Sequence, residues 1–275
     1  MKRDLATDSM AGILILYMVF THICQHFNMT ESSLYSMLER FFYFFMPWFF
    51  FKSGYYFKLT SNQVQLQKGV VKFVKPFFFY SLIGQAIYCV HSYCTGTFEW
   101  NMLYPVREFL GQGSVYGNLP LWFLLTLFLS RLVYNYLANH GIRNEIIGFV
   151  ALSFAFGLHL FEVDKPYILA NTCSGVFFMS LGYIMKNYMS KLAPLILFLL
   201  CLIYALSVQY PSFVGMRSNH LYYGYYLLWI IYSICAIVVW NKVSQYMPFQ
   251  KIGFHIVGKY SMQIYCIHWI PLMFI

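Results

Sequence analysis

The chain of 275 residues is 60% apolar and only 10% charged, and its formal net charge is +9. Because an ordinary soluble domain is about one quarter charged, this composition excludes a soluble globular protein and indicates an integral membrane protein. Each crossing of a bilayer needs roughly 20 apolar residues, so the length allows about nine crossings within a single transmembrane domain over residues 1–275.

Apolar segments separated by charged or turn-forming residues follow one another along the chain, and each predicts a transmembrane helix. A helix is expected because a spanning segment must satisfy its own backbone hydrogen bonds, and no alternating barrel pattern is present. The segments cover residues 10–27, 41–57, 76–94, 119–137, 146–160, 167–185, 193–209, 221–240 and 260–275. The sequence therefore predicts an all-α, polytopic transmembrane helix bundle of about nine helices.

The distribution of lysine and arginine predicts a cytoplasmic N-terminus, because cytoplasmic loops carry an excess of these residues. With this orientation the basic residues on the outer side are Arg40, Arg107, Lys165 and Arg217. Those on the inner side are Lys2, Arg3, Lys58, Lys68, Lys72, Lys75, Arg143, Lys186, Lys191, Lys242, Lys251 and Lys259. The basic charge thus indicates topology, and no nucleic-acid partner is predicted, since no loop has the aromatic and arginine pattern of a nucleic-acid reader.

The last apolar segment has no polar flank that would anchor a helix end, since the chain stops within WIPLMFI. An odd number of crossings would also leave this end on the outer side. Together these features predict that the C-terminus is truncated.

The first apolar segment carries two histidines one helical turn apart, His22 and His26. Polar groups at the depth of His22 cost free energy unless they face a bundle interior or a hydrated cavity, so His22 is a candidate functional residue. The alternative is a histidine that packs against a neighbouring helix, and His26 lies near enough to the interface to be solvated. A metalloprotease helix would carry glutamate where this chain has Ile23, so no metal site is predicted. General-base catalysis needs only one imidazole, so it requires fewer matching residues than a metal site does.

Five short motifs resemble, in the same order, those of the acyltransferase 3 family of membrane O-acyltransferases, in its sugar O-acetylase-like branch. The first is RDLATDSMAGILILYMVFTH, in which Asp8, Gly12 and His22 match the family pattern. The others are FFMPWFFFKSGYYFK with its Ser-Gly pair, KFVKP, LPLWFLLTLFLS, and GKYSMQIYCIHWIP with its Ser-x-x-Ile-Tyr-x-x-His pattern. Each motif alone is weak, but five in the family's order are specific.

The resemblance implies transfer of an acyl group, most often acetyl, from cytoplasmic acyl-CoA to a hydroxyl of a carbohydrate or glycolipid at the outer face of a bacterial inner membrane. Acyl-CoA is then a co-substrate and no cofactor is bound. The partners are the lipid bilayer, the donor and the acceptor, without a predicted oligomeric state. His22 is the predicted general base. The predicted substrate-binding residues are Lys52, Ser53, Tyr55, His26 and His268, and the predicted donor-binding residues are Lys72 and Lys75.

One position departs from the family pattern. Family members usually carry arginine, or lysine in the sugar-acetylase-like branch, immediately before the glycine of the first helix, and this chain has Ala11. An arginine there could bind a phosphate of the donor or pair with a carboxylate. Lys52, next to Ser53, is a candidate substitute cation.

Two other functions are compatible with the residues. A multi-pass transporter or flippase for a glycolipid or small acid would also contain a few intramembrane polar residues and a central histidine. Inverted hydropathy repeats would favour that function, and the sequence shows none. The third function is a scaffold that has lost activity, and Ala11 is the feature that favours it.

Overall fold

The computed structural model describes residues 4–163, 165–209, 214–216, 219–221, 225–246 and 252–274. Within these ranges the regular secondary structure is helical, apart from a minimal strand pair formed by β1 (Val214–Gly215) and β2 (His220–Leu221). The predicted all-α fold is thereby confirmed. The helices are α1 (Leu5–His26), α2 (Ser33–Phe42), α3 (Phe45–Tyr55), α4 (Asn62–Gly69), α5 (Lys75–Cys94), α6 (Val106–Gln112), α7 (Trp122–Asn139), α8 (Asn144–Leu160), α9 (Tyr167–Met185), α10 (Pro194–Gln209), α11 (Tyr226–Tyr246), α12 (Phe254–Lys259), α13 (Ser261–Ile267) and α14 (Trp269–Leu272).

Helices that are long and apolar enough to cross a membrane occur along the whole chain. They are Leu5–His26, Asn62–Cys94, Leu119–Asn139, Tyr167–Met185 and Tyr226–Gln245. Two shorter apolar helices, α8 and α10, accompany them. By the length and composition of these helices, the chain is a multi-pass membrane protein.

Two of the predicted crossings are divided into shorter helices. Residues 41–57 contain the end of α2 and the separate helix α3, which is only about 16 Å long, whereas the hydrocarbon core is about 30 Å thick. Pro47 explains this break, since it has no backbone N–H with which to extend the helix back to Tyr43. Residues 260–275 contain α13 and α14, and Pro271 interrupts the helix there for the same reason. The prediction of one continuous helix in each segment is therefore wrong.

A continuous helical segment of 33 residues, Asn62–Cys94, joins α4 to α5 through a π-helical turn at Val70–Val74. Pro76 lies in the first turn of α5 and has no backbone N–H, so the regular α-helical ladder cannot continue through it. The Lys75 N–H donates instead to the Val70 carbonyl, five residues earlier. The π-helical turn thus accommodates the proline without ending the helix.

Two compact units interleave along the chain. The first comprises Met1–Phe49, Met185–Val214 and Leu221–Ile264. The second comprises Phe50–Ile184, Gly215–His220 and Tyr265–Ile275. Each unit therefore draws its helices from distant parts of the sequence.

A crossing of α1 with α12 brings two backbones into contact in the first unit. A Cβ atom on Gly12 would overlap the carbonyl oxygen of Phe254, and a Cβ atom on Gly258 would overlap that of Asp8. Small residues are the usual means by which membrane helices approach closely. This reciprocal glycine pair fixes α1 against α12.

A second reciprocal glycine pair joins α3 to α9 within the second unit. A Cβ atom on Gly54 would overlap the Met179 carbonyl, and one on Gly182 would overlap the Phe51 carbonyl. The glycine of the Ser-Gly pair is thereby explained by backbone packing. The contact also sets the position of the preceding residue, Ser53.

Asn135 of α7 fixes the segment that follows α3. Its side chain is fully buried, and its amide donates to the Thr60 carbonyl at 2.9 Å and to the Asn62 Oδ1 at 2.8 Å. Its Oδ1 accepts a hydrogen bond from the Thr60 N–H at 3.2 Å. Asn139, one turn further along and exposed, donates to the same two oxygens. Both asparagines thus hold the connection between α3 and α4 against α7.

We expect Asn135→Ala to lower the free energy of unfolding by about 2 kcal/mol, because it removes three hydrogen bonds of a fully buried side chain and takes the acceptor Oδ1 away from the Thr60 N–H. Asn139→Ala is the matched control, since it removes bonds to the same oxygens from an exposed position and should cost less than about 0.5 kcal/mol. Thermal unfolding of the two detergent-purified variants measures the difference. Equal losses would contradict the role assigned to Asn135.

Candidate active site

One face of α1 carries His22 and is buried along most of its length. Residues at spacings of three and four share a face of a helix, and those on the face of His22 are Asp8, Ala11, Ile15 and Met18. All four are buried, Ala11 completely, and His22 itself is half-buried. The imidazole therefore belongs to the protein-facing stripe of α1.

Two features fix the position of this stripe. At the start of α1 the Asp4 carboxylate accepts hydrogen bonds from the backbone N–H groups of Ala6 and Thr7, at 3.1 and 3.4 Å. The glycine crossing at Gly12 then holds the helix about 15 Å from His22 along its axis. Together these contacts set which side of the first unit His22 faces.

Polar groups of α2 lie against the end of α1 that carries His22. The Tyr35 hydroxyl donates to the Glu39 carboxylate at 3.4 Å, and it also interacts with the side chain of Gln25, one turn after His22. Burial raises the pKa of Glu39 above its usual value and raises the pKa of Tyr35 to about 12. Hydrogen-bonding groups are thus concentrated at this end of α1.

An arginine lies near the middle of α7 in the second unit. One guanidinium nitrogen of Arg131 donates to the Ser53 hydroxyl at 2.7 Å. The guanidinium carbon lies 4.7 Å from the centre of the Phe57 ring and 5.9 Å from the centre of the Phe73 ring. The Lys72 ammonium lies 5.4 Å from the same Phe73 ring. Two cations thus share one aromatic side chain, and this arginine cluster contains Ser53 and Lys72.

His268 lies at the break between α13 and α14. Its ring is buried, and its Nδ1–H donates to the Tyr265 carbonyl at 2.8 Å. Because a carbonyl can only accept, Nδ1 of His268 carries a hydrogen. Asn118 holds the break in place by donating to the Cys266 carbonyl at 3.0 Å. The contact with the Tyr265 carbonyl therefore fixes the orientation of the His268 ring.

The chemistry of the clustered side chains suits an anionic ligand. Over the described ranges, no group of three or more His, Cys, Asp or Glu side chains could hold a metal ion. Arg131 and Lys72 are instead the kind of paired cations that bind phosphate or carboxylate groups.

The model of the acyltransferase 3 family, described as an acyltransferase domain, matches residues 5–275. The chain belongs to the acyltransferase 3 family. Membership implies acyltransferase activity, with an acyl donor and an acceptor as substrates. No curated protein and no solved structure gives a significant match to the chain. The resemblance carried by the five motifs is thereby confirmed.

The remaining predicted site residues of this acyltransferase differ in their exposure. Lys52 and Tyr55 are half-buried on α3, and the Tyr55 ring lies 5.0 Å from that of Tyr56. Lys75 is exposed on α5. His26 is also exposed, and its ring meets the neighbouring Phe27 edge to face. Of the predicted residues, Ser53 and Lys72 are thus the two that share the arginine cluster.

Ala11 is the position at which the sequence departs from the pattern of the resemblance. Its side chain is completely buried, directly before the glycine crossing at Gly12. In this acyltransferase the position is therefore part of the packed helix contact.

Sequence reasoning did not single out Arg131, although a signal was present. A charged residue within an otherwise apolar crossing is rare and marks a functional site by default. Arg131 directly follows the apolar stretch WFLLTLFLS within α7. The fold brings Ser53 and Phe73 to this arginine from distant parts of the sequence.

Proposed function

We propose that this acyltransferase transfers an acyl group, normally acetyl, from cytoplasmic acyl-CoA to a hydroxyl of a cell-surface carbohydrate or glycolipid in a bacterial inner membrane. The observation that carries the proposal is the half-buried His22 on the protein-facing stripe of a membrane helix. A histidine in this position is costly unless it has a function. Transfer of an acyl group to a hydroxyl provides that function, because it requires a base.

In the proposed mechanism His22 is the general base. Its imidazole takes the proton of the acceptor hydroxyl while the hydroxyl oxygen attacks the carbonyl carbon of the thioester. The bond between that carbon and sulfur then breaks, and the leaving thiolate receives the proton back from the imidazolium. The products are an O-acyl ester and the free thiol of CoA, and His22 is again neutral.

The groups around the end of α1 support an acceptor that is rich in hydroxyl groups. Tyr35 and Glu39 of α2 and Gln25 of α1 offer both donors and acceptors of hydrogen bonds. A carbohydrate needs this mixture, since each of its hydroxyls both donates and accepts. His26 extends the polar region by one turn of helix.

The donor site is proposed at the basic residues of the helix Asn62–Cys94. Lys72 lies within the π-helical turn, and Lys75 follows directly after it. Both side chains are exposed. Ammonium groups at such positions attract phosphates as point charges. Acyl-CoA carries several phosphates, so it fits this charge better than an uncharged acyl donor.

Mass spectrometry of the host's surface polysaccharide tests the proposed function. Polysaccharide from cells that express the chain should carry acyl esters that are absent when the gene is deleted and return on complementation. Identical polysaccharides with and without the protein would contradict it. Transport of a glycolipid in the absence of any acyl transfer would favour the transporter instead.

A further inference from the structure

The position of Arg131 is not explained by its contact with Ser53 alone. Arg131 lies about 12 Å from either end of α7, in a segment long and apolar enough to cross the membrane. An arginine at such a depth is costly and normally faces the bundle interior or a hydrated cavity. A neutral serine hydroxyl does not balance its charge.

No carboxylate compensates the charge of the arginine cluster among the residues that the structure describes. The contacts of Arg131 are the Ser53 hydroxyl and the rings of Phe57 and Phe73, and the contact of Lys72 is the Phe73 ring. The electrostatic interaction between Arg131 and Lys72 is repulsive. Two like charges beside one ring raise the free energy of the empty site, and a bound anion would lower it.

The hydrogen-bonding capacity of the cluster also suits an anion with several oxygens. A guanidinium has five N–H donors in a planar fork, and within the described chain Ser53 is the acceptor that it reaches. A phosphate can accept two parallel hydrogen bonds from such a fork. The Ser53 hydroxyl accepts from Arg131, so its own hydrogen can point to the same phosphate.

We infer that Arg131, Lys72 and Ser53 form a binding site for a phosphate group of the acyl donor. This inference rests on the proposed function, which supplies a donor that carries phosphates. Lys72 contributes an exposed point charge, and Arg131 contributes the planar fork deeper in the membrane segment. Arg131 would then supply a guanidinium for donor phosphate in a chain that has Ala11 at the position of the family's basic residue.

A lipid headgroup presents the same phosphate chemistry as the donor. Headgroups lie at the membrane surface, however, whereas Arg131 lies near the middle of a crossing helix and packs against two phenylalanine rings. A soluble donor that enters the protein can reach this depth more readily than a headgroup. The depth of the arginine therefore favours the donor.

Binding of CoA to the full-length protein tests the assignment without requiring acyl transfer. The protein is reconstituted in nanodiscs of phosphatidylcholine, and the dissociation constant for CoA is measured for the wild type, Arg131→Gln and Arg131→Lys. We expect Arg131→Gln to weaken CoA binding about tenfold or more, because a charge-assisted hydrogen-bond pair is lost. Arg131→Lys should weaken it less, since it keeps the charge but loses the planar fork.

Arg143→Gln is the matched control, because it makes the same change at an exposed arginine paired with Glu145. It should leave CoA binding unchanged. If Arg131→Gln does not fold, Arg131→Lys and Ser53→Ala carry the test, and each should still weaken binding several-fold. Unchanged CoA affinity in folded Arg131 variants would overturn the inference.

A second set of nanodiscs that also contains phosphatidylglycerol identifies the source of the phosphate. Suppose that phosphatidylglycerol stabilises the wild-type protein but not Arg131→Gln, and that this variant binds CoA as the wild type does. This result would assign the site to lipid and overturn the donor assignment. Failure of the proposed function would give a different result in the binding and transfer measurements. CoA binding would then still depend on Arg131 while no acyl group reached a carbohydrate acceptor.

Discussion

Replacement of His22 with alanine is expected to reduce acyl transfer by ~100- to 10,000-fold, which is the usual contribution of a general base. The effect should fall on kcat, because in the proposed mechanism the imidazole removes the proton of the acceptor hydroxyl during the reaction. The affinity for CoA should stay close to that of the wild type, since the proposed donor site is made by Arg131 and Lys72. Initial rates with radiolabelled acetyl-CoA and a carbohydrate acceptor measure both quantities.

His91→Ala is the matched control for this variant. His91 is also a half-buried histidine on a long apolar helix, and its ring lies 5.8 Å from that of Phe274. Its removal should leave the rate of transfer near that of the wild type. A His22→Ala variant that is folded and as active as His91→Ala would remove His22 from the mechanism.

Gly12→Ala is expected to cause the largest loss of stability of any single methyl addition on α1. The new Cβ atom would overlap the backbone carbonyl of Phe254 on α12, and a backbone carbonyl cannot move aside as a flexible side chain can. We expect a cost of about 3 kcal/mol or more, at the upper end of the range for overpacking. The thermal unfolding midpoint of the purified protein and its recovery as a monodisperse species measure this loss.

Gly157→Ala in α8 provides the comparison for Gly12→Ala. A Cβ atom on Gly157 would meet nothing within 4 Å, so the substitution adds a better helix former to open space. It should be neutral or stabilising by up to about 1 kcal/mol. If the two variants unfold at the same temperature, the close crossing of α1 with α12 does not determine stability.

The helical class of the fold could be predicted because it depends on local composition. Runs of about 20 apolar residues have few alternatives to a membrane helix, and the long helices of the structure coincide with such runs. Composition alone does not locate breaks within these runs. Pro47 and Pro271 divide two apolar segments because each lacks a backbone N–H donor. Counting apolar residues does not detect the loss of this donor.

Of the candidate site, the sequence could indicate His22 on α1 but not the arginine cluster. His22 is conspicuous within its own helix, and the burial of Ala11, Ile15 and Met18 agrees with the face that helical spacing assigns to it. The arginine cluster joins Arg131 to Ser53 across 78 residues of sequence, through packing that no local pattern encodes.

Reciprocal glycines bring together helices that are distant in the sequence. Gly54 and Gly182 allow α3 and α9 to touch within the second unit, and this contact sets the position of Ser53. In the sequence each glycine has a local interpretation as a turn or a flexible point. Its role in packing depends on a partner glycine far along the chain, which spacing alone does not reveal.

Transfer of radiolabelled acetyl groups by the purified protein tests the central claim most directly. Protein in detergent would be incubated with acetyl-CoA and the host's surface oligosaccharide, and both the label on the sugar and the free CoA thiol would be measured. We predict equal amounts of hydroxylamine-labile ester and released thiol, with both products lost in His22→Ala and kept in His91→Ala. Folded wild-type protein that binds acetyl-CoA but never forms the sugar ester, or forms it at the same rate without His22, would contradict the account.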